Sequence, residues 1–209
     1  MRSTSTNKEE LYMLVLLFGI FWWLWSGIVW NIISVLQLDR SLFGIIYWAG
    51  IGGVWTLLKG RHWFRYPLRW GSLLGIGAGI CSGALWMRLE WLLQDILNTD
   101  LLALLQFVLF GSILGIFQGS LFSSKILSWK TIAWAATTAL SWTIGGLILW
   151  MIASQIGHLC PGFDCFSGFH ESIRKILWWI IVAMTFIVTS SVIFWVQDMM
   201  IMMMRRWSG

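Results

Sequence analysis

The stretch LLALLQFVLFGSILGIFQGSLFSS, residues 101–124, decides the fold, because it carries no charge until Lys125 ends it. At 1.5 Å per residue these positions make a helix about 36 Å long, more than the ~30 Å hydrocarbon core of a bilayer. Apolar and polar residues do not alternate along it, as a membrane β-strand would require. A helix then remains the way to satisfy its backbone polar groups in lipid.

Working outward, the charges divide the rest of the chain into similar runs: Leu11–Leu38, Leu42–Leu58, Trp70–Met87, Thr131–Phe163 and Ile176–Gln197. The second and third runs of the chain are the shortest. Over its 209 residues the protein is 58% hydrophobic and 11% charged, with mean hydropathy +0.78. Soluble domains carry about 25% charge, so a soluble core does not account for this composition. The reading is an all-α integral membrane protein, a six-helix transmembrane bundle. Its helices are expected at about 11–36, 42–58, 69–88, 101–123, 130–156 and 175–200. They form one domain over 11–204, between terminal segments 1–10 and 205–209. The first run is too long for a secretory signal and lacks a small-residue cleavage site, so it reads as a retained helix. The 18 tryptophans suit membrane interfaces, where an indole is half apolar and half wet.

Six crossings put Arg2, Lys8, Lys59, Arg61, Arg65, Arg69, Lys125, Lys130, Arg205 and Arg206 on one side and Arg40, Arg88, Arg174 and Lys175 on the other. The positive-inside rule then makes both termini cytoplasmic. Asp39, Glu90, Asp95, Asp100, Asp164 and Glu171 give the outer face an acidic character. The net charge of +5 sits in scattered anchors with no basic stripe, so no nucleic-acid partner is expected. The expected partners are the lipid bilayer and either further copies of the chain or other membrane subunits.

Cys160 and Cys165 fall in the last outer loop, in the sequence CPGFDC. Pro161 and Gly162 favour a turn that could close a disulfide in an oxidising compartment. Two alternatives stay open: unpaired loop thiols, and a metal site adding His158 and His170, whose spacing matches no standard zinc motif. Cys81 reads as a small hydrophobe inside the third helix.

Small residues recur every fourth position: Gly71, Gly75, Gly79 and Gly83, then Gly111, Gly115 and Gly119, then Ala133, Thr137, Ser141 and Gly145. Lipid gives helices no hydrophobic reason to associate, so such grooves allow the close backbone approach that holds them together. They read as packing seams within the bundle, or as a self-assembly face. Gly52-Gly53-Val54-Trp55 and Trp70 to Gly75, around one basic loop, echo Gly115 to Gly119 and Trp134 to Gly146 around another, about 63 residues on. The expectation is a parallel duplication of a helical hairpin, helices 2–3 and 4–5.

Chemistry-bearing groups are sparse. No charge lies at mid-span, which argues against proton coupling. His62, His158 and His170 lie at or beyond span ends, leaving no axial pair for haem, and no cofactor is expected. The methionines Met199, Met200, Met202, Met203 and Met204 extend the last helix to its basic anchors, in preference to a copper site. No catalytic motif and no phosphate-binding loop occurs, and no catalytic or metal residue is assigned. Asn31, Gln106 and Gln118 are the mid-span polar residues. Gln118, with Trp134, is the candidate ligand contact.

The segment Gly115-Ile116-Phe117-Gln118-Gly119 followed by Trp134 to Thr137 and Trp142 to Gly145 resembles a hairpin of uncharacterised multi-pass membrane proteins, many of them cyanobacterial. The likeness covers about residues 111–146, with a fainter echo at 50–79. It implies a bacterial plasma or thylakoid membrane and no particular activity. The expected function is that of a non-catalytic bundle acting by assembly, as a subunit, scaffold or membrane effector. The alternative is a transport module or pore.

Overall fold

The structure, a computed structural model, describes residues 8–37, 40–59, 68–120, 129–159, 168 and 170–207. These form six helices: α1 (Lys8–Val35), α2 (Arg40–Lys59), α3 (Leu68–Leu93), α4 (Thr99–Gly119), α5 (Trp129–Leu159) and α6 (Glu171–Trp207). Helices α2, α3 and α6 run past the apolar stretches expected from the charges at both ends, and α6 reaches 37 residues. Helices α1, α4 and α5 begin before their stretches and end short of them. Charges delimit the hydrocarbon crossing, whereas helical hydrogen bonding continues into the interface and carries Arg88 and Glu90 on α3. The segment Trp91–Leu97 straddles the end of α3. Its first residues end α3, and a turn follows in which Leu97 N–H donates to the Leu93 carbonyl at 2.8 Å. Asn98 then caps α4, its side chain accepting from the Leu101 N–H at 2.9 Å.

Five helices contain stretches long and apolar enough to cross a membrane; in α2 the apolar stretch Leu42–Leu58 is shorter. Each helix packs on its neighbours in sequence, and α6 packs on α1, closing a ring. Large apolar side chains face outward, among them Leu24 and Ile28 of α1, Ile76 and Ile80 of α3, and Ile180 and Met184 of α6. Apolar residues on both sides of a helix wall are what a bilayer solvent demands.

The pairs α2–α3 and α4–α5 are the most intimate. In the first, a Cβ on Gly83 would lie 2.6 Å from Ile45 Cα and 2.7 Å from the Gly44 carbonyl oxygen; Gly75 faces the Gly52 carbonyl and Gly79 that of Trp48. In the second, a Cβ on Gly115 would lie 2.6 Å from Ala135 Cα, and one on Gly111 2.9 Å from both Ala139 Cα and Trp142 Cβ. Partners in the first pair (52 with 75, 48 with 79, 44 with 83) are 23, 31 and 39 positions apart. In the second, the contacts 115 with 138, 111 with 142 and 107 with 146 have those separations 63 residues later, but the nearest backbone partners of Gly115 and Gly111 are Ala135 and Ala139, 20 and 28 positions on.

Candidate functional site

The ring's centre is filled with aromatic rings. Phe18 and Trp22 of α1, Trp48 and Trp55 of α2, Phe110 of α4, Trp142 of α5 and Phe194 of α6 are all fully buried. Trp142 is the hub, its ring centroid 4.7 Å from Phe110, 5.1 Å from Trp55 and 5.6 Å from Trp22. Trp48 lies 4.2 Å from Phe110, and Trp55 4.4 Å from Phe194. Several crossings are edge-to-face, an arrangement favoured by the ring quadrupole. Four of the tryptophans expected at membrane interfaces thus sit in the middle of the protein. Glycine-lined pairs draw the outer wall tight, and the large flat rings take up the space the ring encloses. The indole N–H groups of Trp48 and Trp142 have no hydrogen-bond acceptor among the described residues.

Beside this plug, towards the end of the bundle where α2 and α4 finish and α5 begins, lies a buried polar group that links three helices. Gln118 is 1% exposed, yet both ends of its amide are engaged. Its Nε2 donates to Thr56 Oγ1 at 3.1 Å, and its Oε1 accepts from Trp134 Nε1 at 3.2 Å. One carboxamide so joins α2, α4 and α5. Nearby, Thr131 Oγ1 donates to the Gly119 carbonyl at 3.2 Å. Gln118 and Trp134, each singled out from sequence as a candidate ligand contact, are hydrogen-bonded to each other. Thr56 was not singled out from sequence; a threonine near the end of an apolar run carries no signal until a partner is known.

The small residues divide between interfaces. Gly75, Gly79 and Gly83 face α2, and Gly111, Gly115 and Gly119 face α5. Gly145 instead faces α6, where a Cβ would meet the side chain of Ile193. The hydroxyl of buried Ser141 donates within its own helix, to the Thr137 carbonyl at 3.1 Å and the Thr138 carbonyl at 2.9 Å. The α5 surface against α4 is made of Thr131, Ala135, Thr138 and Trp142. Gly71 is helical and nothing is described around it.

A second network, unforeseen in the sequence, joins α1 to α2. The Trp22 indole N–H donates to the Tyr47 hydroxyl, and Trp25 Nε1 donates to the Tyr47 carbonyl at 3.0 Å. Cys160 and Cys165 lie outside the described residues, and so does the proposed disulfide between them. Among the described residues, no group of three or more His, Cys, Asp or Glu side chains is placed to hold a metal. Cys81 is exposed.

Together, the six-helix ring and its apolar outer surface define a multi-pass helical membrane protein in contact with the lipid bilayer. Compared with family models, curated proteins and solved structures, the chain matches none of them.

Proposed function

We propose that this chain acts without catalysis, through helix packing and assembly, as a subunit, scaffold or membrane effector of a larger complex. The observation that carries this reading is the aromatic centre. A solute crossing the ring would have to displace Trp55, Trp142 and Phe194, each almost completely buried against other rings. The buried polar group that joins three helices, Gln118, spends its amide on Thr56 and Trp134. That arrangement ties helices together and leaves little for a ligand. The alternative, a transport module or pore, would need the plug to move.

In this reading all six helices span the membrane, α2 being carried through by its close fit to α3. Both termini are cytoplasmic, and the membrane is a bacterial plasma or thylakoid membrane. Helices α2–α3 and α4–α5 derive from one duplicated hairpin. The support for duplication is the shared contact register; in an antiparallel pair one matched contact fixes the others, so the three pairs amount to a single agreement. The deciding experiment is gentle extraction from native membranes, followed by identification of what accompanies the chain. Stoichiometric protein subunits are the expected result. Solute flux through proteoliposomes containing the chain alone would overturn the reading in favour of transport.

A further inference from the structure

On the outer surface of the ring, α1 and α6 enclose a groove whose floor is closed by the Trp23 and Trp179 rings, 6.0 Å apart. The groove, of about 890 Å³, is lined by Trp23, Leu24, Gly27 and Ile28 of α1 and by Trp179 and Ile180 of α6, among others, and is almost wholly apolar. Two features of α1 set this groove apart from an ordinary lipid-facing surface. Gly27 is open: a Cβ there would meet nothing within 4 Å, whereas Gly19, two turns earlier on the same helix, lies tight against Ile187 of α6. Asn31, one turn beyond Gly27, is exposed on the groove and lies within the membrane-length stretch Tyr12–Val35. Its Nδ2 donates to the Gly27 carbonyl at 2.7 Å, and its own carbonyl oxygen has no hydrogen-bond donor among the described residues. An unpaired amide oxygen facing hydrocarbon is costly.

We infer that this groove is the contact surface for a second copy of the chain, related by a two-fold axis along the membrane normal. The occupant follows from charge complementarity. A carboxamide carries a partly negative oxygen and partly positive N–H groups, so two Asn31 side chains facing each other across a two-fold axis satisfy one another in both directions. Such an axis makes the same patch meet itself, which closes the assembly at two copies. The uncovered backbone at Gly27 lets the two α1 helices approach closely enough for the amides to meet, and the ridge of Leu24 and Ile28 enters the partner's groove. This inference rests on the assembly reading and specifies one of its contacts.

The test uses the full-length protein reconstituted at low density in liposomes, with copy number read by fluorescence resonance energy transfer between labelled chains. The wild type is expected to dimerise. Asn31→Leu is expected to weaken the dimer by roughly tenfold, the scale of two interhelical hydrogen bonds in a membrane. Gly27→Ile should weaken it further by blocking approach, whereas Asn31→Gln, which keeps the amide, should retain most of it. Thermal unfolding of each variant separates loss of dimer from loss of fold. A monomeric wild type overturns the inference, as does a dimer indifferent to both Asn31→Leu and Gly27→Ile. Lipid co-purifying with a monomeric wild type and lost in Asn31→Leu would also overturn it, assigning the groove to a bilayer lipid. A complex with other subunits that persists in Asn31→Leu would leave the assembly reading standing while removing this contact from it.

Discussion

Gly75 and Gly77 stand two positions apart on α3, and the structure assigns them opposite tolerance to a single added carbon. A Cβ on Gly75 would lie 2.6 Å from the Gly52 carbonyl carbon, closer still to that carbonyl's oxygen, and 2.6 Å from Thr56 Oγ1. Non-bonded heavy atoms rest at about 3.5 Å, so the carbonyl carbon alone asks α2 and α3 to part by about 0.9 Å, and the nearer oxygen asks for more. The atoms in the way are mostly backbone, which cannot rotate aside. The third, the Thr56 hydroxyl, is the acceptor of the Gln118 amide, so moving it strains the link to α4 as well. Overpacking of this kind costs about 1–3 kcal/mol. A Cβ on Gly77 would meet only Phe117 Cε1, at 3.6 Å, which is ordinary contact. Gly77→Ala should therefore be neutral, or stabilising by up to about 1 kcal/mol through helix propensity. The two variants should differ by about 1–4 kcal/mol in reversible unfolding measured in bilayer-like discs, and Gly75→Leu should not yield folded protein. Equal stabilities for Gly75→Ala and Gly77→Ala would refute the claim that the α2–α3 seam depends on backbone contact.

Gln118→Leu should cost about 1–3 kcal/mol, because Trp134 loses its buried acceptor and Thr56 its donor. Adding Trp134→Phe should cost less than the two single changes summed, a non-additivity that a double-mutant unfolding cycle measures. Outside the spans, Glu171 donates no proton at neutral pH but accepts a hydrogen bond from Lys175 at 2.6 Å, and this bond, then the charge of Lys175, holds its carboxyl below the usual carboxylate range. Because the folded value is the depressed one, the pair helps α6 above the ordinary carboxylate pKa, and that help fades as pH falls through the folded value. The titration midpoint of Glu171, followed by carbon NMR, should rise towards the ordinary value in Lys175→Ala.

The helices were legible in the sequence because charge is costly in hydrocarbon, and the runs between charges therefore mark what lies in it. Their ends were not, since a helix needs no apolar residues to continue beyond the core, as α6 does at both ends. Gln118 stood out as an amide in an apolar run beside Gly115 and Gly119, but its bond to Trp134 was not legible, since nothing local fixes which indole lies within reach. Gly145 was harder to place. Spacing of four along α5 selects a face, but nothing local says whether α4 or α6 lies against it. Tryptophan was the least legible residue. An indole is equally suited to an interface and to a crowded centre, and only the closure of the ring sends Trp22, Trp48, Trp55 and Trp142 inward.

The same closure bears on why the two hairpins share so few residues. At an offset of 63, Trp48 corresponds to Gly111 and Gly79 to Trp142, so each hairpin pairs a tryptophan position with a glycine position on opposite helices. The other two pairs do not follow this exchange: Gly52 and Gly75 are matched by Gly115 and Thr138, and Gly44 and Gly83 by Phe107 and Gly146. In the ring, α2 and α5 both bring their bulk to the centre, where Trp55 and Trp142 meet at 5.1 Å. A hairpin copied unchanged would have placed its tryptophan on α4 and a glycine at the position of the hub. Placing the large residue on the opposite helix keeps the summed volume at that one contact, which cores tolerate well. It also supplies the ring on which Phe18, Trp22, Trp48, Trp55 and Phe110 converge. Were the hairpins of one origin, selection on the filled centre would account for the loss of residue identity at that contact, since the tryptophan is needed on whichever helix faces the centre.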